Sequence, residues 1–490
     1  MMPRSAVLAI DQGTTNTKAL LVAPDGSILA RASRSMTLTH PRSGWAEQSA
    51  DAIWTSVVAV IDELVAAAPE TAVAGLAISN QRETIVLWDA VSGRAVAPAI
   101  SWQCRRSSDR CAALRDAGQG AAVVAATGLG LDPLFPGAKL AWLLDNVPAA
   151  RTRAAAGELR AGTIDSWLLW KLTSGAVHAT DHGNASRTQL LNLHTLAWDP
   201  DMAALFDVPL AILPVVRSSD SCFGTVAAGR TKLAAGVPIH AIMGDSHAAL
   251  FGHGLSEPGA AKVTIGTGSS VMTLTDGPVV SANGLSATIA WSRQGRISHA
   301  LEGNITVSGQ AAAFATRLLG LADETALTTL AESVADSGGV AFVPALAGLG
   351  APHWADRARG IITGMTLGTG PAHVARATFE AIAMQIVDVC RAVESDMGRA
   401  IPTVSVDGGA TRNAFLLQLL ADLLGTPVAR RPDPELSALG VARMAAEALA
   451  IAEPAARSPV QERFTPHMTP AERERIHHRW RSAIANAVPA

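Results

Sequence analysis

Two stretches of the chain share one pattern, a short apolar strand, a glycine turn and a second apolar strand. The first runs over residues 6–22 around "DQGTT", and the second over 260–275 around "IGTGSS". Apolar, partly β-branched runs on either side of a tight turn are typical of paired strands. In each half a helical pattern and another buried strand follow, with 51–66 and then 73–79 in the first. The pattern predicts an α/β fold whose architecture is duplicated.

The size of the chain agrees with two such halves. Its 490 residues favour two or three domains, and an apolar fraction of 49% is ample for large cores. We expect a boundary in the glycine- and proline-containing "FGHGLSEPG", which gives domains of 1–250 and 251–490. Within the first domain, Asp51 is the expected N-cap of the helix over 51–66.

Composition excludes several classes of function and location. A net charge of −3 without a long basic run argues against nucleic acid or an anionic membrane surface as partner. The apolar run before Asp11 has five residues, too few for a signal peptide, and no stretch of about 20 apolar residues predicts a membrane span. Four cysteines without a CxxC pair make a zinc site improbable and fit a cytoplasmic protein.

The turn "DQGTTNTK" (11–18) follows the first strand directly. Its backbone N–H groups and the hydroxyls of Thr14 and Thr15 can face an anion. Asp11, at the strand end, could hold Mg²⁺ directly or through water. The alternative is an ordinary hairpin turn capped by aspartate and threonine, and this stretch alone leaves that alternative open.

Two further glycine turns favour the anion-binding interpretation over the ordinary hairpin turn. Thr267 lies between the glycines of "IGTGSS" (265–270), and "DGGATRN" (407–413) enters a helix. Any one glycine turn is weak evidence of a ligand. Three of them at strand ends favour a nucleoside triphosphate held between duplicated domains.

The stretch "MGDSHAALFG" (243–252) places Asp245, Ser246 and His247 side by side, the residue types of a hydrolase triad. Consecutive residues point in different directions on a helix and to alternate faces on a strand, so these three cannot form a relay among themselves. No GxSxG motif surrounds any serine. The interpretation that remains is one catalytic aspartate, at a strand end or helix N-cap, with His247 of no catalytic consequence.

Eight motifs in order resemble the FGGY family of carbohydrate kinases, and within it the members that phosphorylate glycerol. They are "DQGTT", "NQRET" (80–84), "WQCRR" (102–106), "NASRTQLLNLHTLAWD" (184–199), "GDSHAALFG", "IGTG", "GLGAPHW" (348–354) and "DGGATRN". The stretch "GIITGMTLGTGPAHVARATFE" (360–380) also fits a family signature. The similarity runs from about residue 5 to 485.

The resemblance implies two duplicated ribonuclease-H-like domains of the actin/hexokinase/Hsp70 type, with ATP and substrate meeting in an interdomain cleft. Residues 1–250 would form the substrate and metal side, and 251–490 the nucleotide side. Asp245 matches the base that takes the proton from the substrate hydroxyl, and Asp11 and Asp245 flank Mg²⁺. The chain is expected to form a homo-oligomer, a dimer or tetramer.

The resemblance also implies an ATP-binding set. Lys18 stands where arginine is usual, which keeps the charge but loses the bidentate fork. The set consists of Thr14, Thr15, Asn16, Lys18, Thr267, Gly309, Gly409, Ala410 and Asn413.

The resemblance also implies a substrate-binding set. Together with Asp245, the residues Arg82, Glu83 and Trp102 match those that bind the substrate hydroxyls and contact its carbon face. Alone, "QRET" would be interpreted as a surface ion pair and Trp102 as a core residue. In this ordered set of motifs, the functional interpretation prevails.

Three substrate positions depart from the glycerol pattern. Leu134 replaces a tyrosine, Ser246 a glutamine and Ser270 a phenylalanine. Each change shortens or removes a side chain, and two leave hydroxyls, so the pocket is expected to be larger and more polar. We expect a polyol or ketose of four or five carbons. Glycerol itself is the alternative, and a non-catalytic sugar- and ATP-binding protein is a remote one.

Overall fold

The computed structural model describes residues 4–431, 435–452 and 462–488. Contacts divide these residues into two compact units. The first comprises 4–254, 287–299 and 435–452, and the second comprises 255–286, 300–431 and 462–488. Two later segments thus return to the first unit, which the expected boundary near residue 250 did not include. The assignment of substrate and nucleotide sides stays a prediction.

The strands are numbered in chain order. They are β1 Arg4–Gln12, β2 Asn16–Val22, β3 Ile28–Ser35, β4 Glu47–Gln48, β5 Thr71–Asn80, β6 Ile85–Asp89, β7 Ala99–Ile100, β8 Leu159–Thr163, β9 Ala179–Asp181, β10 Val215–Arg217, β11 Cys222–Thr225, β12 Pro238–Gly244, β13 Ala261–Ile265, β14 Ser269–Thr275, β15 Ser286–Arg293, β16 Arg296–Ile305, β17 Ala341–Val343, β18 Ile361–Thr363, β19 Val404–Asp407, β20 Val428–Arg430 and β21 Glu462–Phe464.

The α-helices are numbered in the same way, and short 3₁₀ turns lie at Leu210–Ile212 and Gly409–Arg412. The helices are α1 Ala50–Ala67, α2 Ser108–Asp116, α3 Gly120–Thr127, α4 Pro136–Asn146, α5 Ala150–Ala155, α6 Ile164–Leu172, α7 His182–Ser186, α8 Pro200–Phe206, α9 Asp245–Gly252, α10 Gly309–Leu318, α11 Glu324–Glu332, α12 Pro371–Met397, α13 Ala414–Leu424, α14 Leu436–Ala448 and α15 Pro470–Ala487.

The main sheet of the first unit has the strand order β11-β12-β5-β1-β2-β3. β2 is antiparallel to β1 and β3, whereas β5 is parallel to both β1 and β12. Apolar residues of β1 such as Leu8 and Ile10 pack with Ile53 and Val57 of α1, and all four are buried. The parallel arrangement brings the carboxyl ends of β1, β5 and β12 to one edge, the usual place for ligands in such sheets.

A second sheet of the first unit has the order β4-β7-β6-β8. Its apolar residues form a separate core with α4, to which Ile85, Leu87, Leu140 and Leu143 contribute. This core supports the segment from Leu131 to Pro136, which leads into α4.

The part of the seven-stranded sheet that lies in the second unit has the order β16-β14-β13-β19-β20-β21. β13 is antiparallel to β14 and parallel to β19, which is parallel to β20. The order β16-β14-β13-β19-β20 repeats the order β3-β2-β1-β5-β12 of the first unit. The predicted duplicated α/β architecture is therefore confirmed.

The predicted helix over 51–66 is α1, but its N-cap is Ser49 rather than Asp51. The Ser49 hydroxyl accepts a hydrogen bond from the Ala52 amide at 3.2 Å, and Asp51 lies in the first turn. A carboxylate there still interacts favourably with the helix dipole, so both residues suit a helix start. Among the described helices, none combines the length and apolarity of a membrane span.

Candidate active site

Asp11 and Asp245 come from two strand ends on either side of β5. Asp11 lies opposite Ser79 of β5, and Met243, two residues before Asp245, lies opposite the same Ser79. Asp245 is the first residue of α9, which starts directly after β12 with Gly244 as N-cap. The sheet register thus explains why residues 234 positions apart in the chain lie near each other.

The Asp245 carboxylate is accessible, with 37% of its side chain exposed. Its Oδ1 accepts a hydrogen bond from the Ser246 amide at 2.6 Å and lies 3.4 Å from Nε of Arg82. The Ser437 hydroxyl donates to the Asp245 backbone carbonyl at 3.0 Å. The carboxylate is therefore fixed in orientation and still reachable by a proton donor, as a general base must be.

Asp11 is surrounded by protein, although part of its surface is accessible. Burial, and next the charge of the neighbouring Asp245 carboxylate, raise the pKa of Asp11 to about 6. The hydrogen bond from the Ser79 hydroxyl, 2.9 Å to Oδ1, and the charge of Lys18 act in the opposite direction. Two carboxylates that disfavour each other's charge fit a divalent cation, and Mg²⁺ takes one or two carboxylates together with water and phosphate oxygens.

The hydroxyl of Thr14 joins the first turn to Trp102. Nε1 of Trp102 donates to it at 2.9 Å, and the hydroxyl donates to Oε1 of Gln81 at 3.3 Å. Gln81 donates to Oε1 of Gln48 at 2.8 Å, and Gln48 donates to the Thr14 carbonyl at the same distance. The sequence did not single out either glutamine: Gln81 lies within "NQRET", but Gln48 lies in no motif.

The rest of the first turn is more exposed. Asn16 donates to the hydroxyl of Thr15 at 3.3 Å, and the Gly13 amide donates to the Asn16 carbonyl at 2.9 Å. Lys18, on β2, lies directly opposite Asp11. The structure therefore places Thr14, Thr15 and Lys18 around the same strand end as Asp11.

Arg82 is 7% exposed, and its guanidinium lies between Asp245 and His247. Its Nη1 is 3.3 Å from Nε2 of His247, and this Nε2 is also 3.4 Å from the Thr288 hydroxyl. Because a guanidinium only donates, this Nε2 must accept, and the geometry fits a neutral imidazole. The sequence predicted no catalytic role for His247 and did not predict this contact with Arg82.

Glu83 is buried and has a left-handed backbone with φ of 59°. Its carboxylate accepts a hydrogen bond from Nε of the fully buried Arg187 at 2.6 Å. Its backbone carbonyl accepts from Nζ of Lys139 at 3.0 Å, and the same Nζ donates to the Leu134 carbonyl at 2.6 Å. Arg187 lies within "NASRTQ", and Lys139 follows "LFPGA", yet no role was predicted for either residue.

In the second unit, Thr267 and Gly309 are neighbours. The Gly309 amide donates to the Gly266 carbonyl at 2.9 Å, and the amides of Ser308 and Gln310 donate to the Thr267 carbonyl. A Cβ at residue 309 would lie 2.5 Å from the Gly266 oxygen, so the close approach requires glycine. The turn "IGTG" and the start of α10 form one backbone-lined surface.

Ser270 lies on β14, and its hydroxyl donates to Oε1 of Glu302 at 3.0 Å. Glu302 is fully buried on β16. The sequence places a hydroxyl at position 270, but it does not reveal the carboxylate beside it.

The third glycine turn lies against the end of β13. A Cβ at Gly408 would be 2.4 Å from the Ile265 carbonyl oxygen, and φ of Gly408 is 99°. Gly409 and Ala410 are in the 3₁₀ turn, and Asn413 caps α13 by accepting from the Leu416 amide at 3.0 Å. Nδ2 of Asn413 donates to the Thr328 hydroxyl at 2.9 Å, so this side chain orders the turn.

The comparisons with known proteins agree along the whole chain. Residues 6–252 match the N-terminal domain, and 261–449 the C-terminal domain, of the FGGY family of carbohydrate kinases. An apulose kinase of Pectobacterium atrosepticum and a glycerol kinase of Alkalilimnicola ehrlichii are each 45% identical, over 98% of both chains. A solved structure, Plasmodium falciparum glycerol kinase with ADP, is similar with a TM-score of 0.94 and 28% identity, over 99% of both chains.

The fold and the site define a phosphotransferase of the actin/hexokinase type with an alcohol group as acceptor. The chain belongs to the FGGY family of carbohydrate kinases. The predicted resemblance and enzyme class are thereby confirmed.

Proposed function

We propose that the chain transfers the γ-phosphoryl group of Mg-ATP to a terminal hydroxyl of a polyol or ketose with four or five carbons. Two relatives of equal identity are named apulose kinase and glycerol kinase, so identity does not decide between a larger acceptor and glycerol. The observation that carries the larger acceptor is the hydrogen bond between Ser270 and the buried Glu302.

In the proposed reaction, the Asp245 carboxylate accepts the proton of the acceptor hydroxyl. The hydroxyl oxygen forms a bond to the γ-phosphorus while the bond from that phosphorus to the β,γ-bridging oxygen breaks, which releases ADP. Arg82, held by His247, keeps the carboxylate in place. Such a transfer needs mainly positioning and charge stabilisation from the protein.

Asp11 and Asp245 are the residues that would hold Mg²⁺, which when bound supplies positive charge to the phosphate oxygens. In the first unit we assign phosphate contacts to Thr14, Thr15, Asn16 and Lys18. In the second unit we assign nucleotide contacts to Thr267, Gly309, Gly409, Ala410 and Asn413. The backbone-lined turns of these glycines are typical of phosphate binding.

The acceptor is assigned to Arg82, Glu83, Trp102, Leu134, Asp245, Ser246 and Ser270. A phenylalanine at 270 would fill space with an apolar ring, whereas the serine holds a hydroxyl against a carboxylate. Such a polar pair favours an acceptor with a further hydroxyl and disfavours one without it. Leu134 and Ser246, which are shorter than the tyrosine and glutamine of the glycerol pattern, support the same conclusion.

The test is ADP release with Mg-ATP over glycerol, erythritol, threitol, ribitol, xylitol, arabitol, ribulose, xylulose and apulose. We expect a four- or five-carbon acceptor to have the highest kcat/KM, and removal of Mg²⁺ with EDTA to abolish turnover. Ser270→Phe should shift the preference toward glycerol. Highest efficiency on glycerol would contradict the larger acceptor, and no turnover with any compound would contradict the reaction.

We also propose a cytoplasmic location, which is supported by four cysteines that are all free thiols. A homo-oligomer stays a prediction from the family resemblance.

A further inference from the structure

We propose that Lys139 is a positioning residue for acceptor binding, because its ammonium group ties the backbone of Glu83 to the backbone of Leu134. This inference rests on the proposed function, in which these two residues face the acceptor. Lys139 itself is proposed to touch neither acceptor nor nucleotide.

The first support is the placement of the ammonium group. Lys139 lies in the first turns of α4 and is fully buried. Its Nζ donates to the Glu83 carbonyl at 3.0 Å and to the Leu134 carbonyl at 2.6 Å. These carbonyls belong to segments more than 50 residues apart, and one side chain joins them.

The second support is the conformation of the bonded segment. Glu83 has φ of 59°, a left-handed conformation that a glutamate rarely adopts and that its surroundings must hold. Lys139 holds its carbonyl, and Arg187 holds its carboxylate. Loss of the Lys139 bond would therefore release the backbone that aims the Glu83 carboxylate.

The third support is the cost of the buried charge. Burial lowers the pKa of Lys139 to about 7, while Glu83, Cys104 and Asp132 act to raise it. A leucine or methionine would fill this position of α4 without that desolvation cost. The lysine is thus unfavourable as a packing residue, and the two carbonyls account for it.

The experiment compares three variants by steady-state kinetics with the preferred acceptor. Lys139→Met keeps the volume and removes the donors, so we expect acceptor KM to rise about 10-fold, while kcat and the KM for ATP stay within about twofold. Lys139→Gln keeps two N–H donors on a shorter side chain, and we expect a rise of about threefold. Leu143→Ala, a buried residue of the same helix, is the control for destabilisation: its Tm falls and both KM values stay unchanged.

The inference is overturned if acceptor KM equals the wild-type value in either folded lysine variant, or if both KM values rise together. If Lys139→Met does not fold, Lys139→Gln decides alone. Failure of the proposed function has a different signature, since wild-type protein would then lack turnover with every acceptor tested.

Discussion

Two pairs of neighbouring carboxylates in the first unit, Asp11 with Asp245 and Asp165 with Asp181, differ in what surrounds them. Asp11 and Asp245 lie at strand ends, and Asp245 is accessible. Asp165 and Asp181 are fully buried. In each pair one carboxylate raises the pKa of the other, so charge proximity does not distinguish them.

Hydrogen bonding does distinguish them. Asp165 accepts from the hydroxyls of Thr163 and Thr180, at 2.5 and 2.6 Å. Asp181 accepts from Ser219 and, through backbone and side chain, from the start of α7. The buried pair organises neighbouring segments, whereas Asp245 of the other pair stays accessible, as its proposed role as a base requires. A raised carboxylate pKa therefore becomes a sign of chemistry only together with access.

The largest effect expected from this comparison concerns Asp245. Asp245→Asn removes the base while keeping the shape, so kcat should fall by about 10³-fold. ATP binding, followed by fluorescence or calorimetry, should change little. Turnover above a tenth of the wild-type rate would show that another group accepts the proton.

The second effect concerns the metal. Asp11→Asn leaves a single carboxylate, so the Mg²⁺ concentration that gives half-maximal rate should rise about 10–100-fold. A Mg²⁺ titration at saturating ATP measures it. An unchanged Mg²⁺ requirement would place the ion elsewhere.

The third prediction applies the same substitution to the buried pair. Burial, and next the charge of Asp181, raise the pKa of Asp165 to about 7. The native protein therefore binds this proton more tightly than the unfolded chain does. Proton binding at Asp165 adds its full contribution to the free energy of unfolding below about pH 4, and this contribution is lost as the pH rises through 7. Asp165→Asn should raise stability at pH 8 by on the order of 2 kcal/mol.

Thermal unfolding of Asp165→Asn at pH 5, 6.5 and 8 measures this effect, and the gain over wild type should shrink toward acid. The kcat value should stay within twofold. A lower Tm at pH 8 would mean that the hydroxyls of Thr163 and Thr180 cannot accept hydrogen bonds from the new amide group. It would also mean that repulsion between the Asp165 and Asp181 carboxylates does not destabilise the native protein.

Much of the backbone of this site could be predicted from the sequence, because its strands and turns have local sequence signatures. Strand–glycine–strand patterns predicted β1, β2, β13 and β14, and the register of parallel strands then brings Asp11 and Asp245 to one edge. Positions defined by turns and strand ends depend on neighbours in sequence, and a single chain reveals them.

The residues that hold the site residues in place could not be predicted in the same way. Gln48, His247 and Glu302 act through partners 34, 165 and 32 residues away. Lys139 and Arg187 both bond to Glu83, which lies 56 and 104 residues away, so the sequence around them does not reveal their partner. The N-cap of α1 was displaced by two residues because Ser49 and Asp51 both suit a helix start.

The smallest expected effect comes from removing one hydrogen bond from each of the two carboxylate pairs. Ser79 donates to Asp11 at 2.9 Å, and Ser219 donates to Asp181 at 2.7 Å. Ser79→Ala should raise the pKa of Asp11 further, so the Mg²⁺ concentration that gives half-maximal rate should rise a few fold, with little change in Tm. Ser219→Ala should leave kinetics unchanged and cost about 1 kcal/mol of stability, because it removes one of several donors to a buried carboxylate. Equal effects of both variants on Tm, with none on the Mg²⁺ titration, would mean that both carboxylate pairs serve the fold alone.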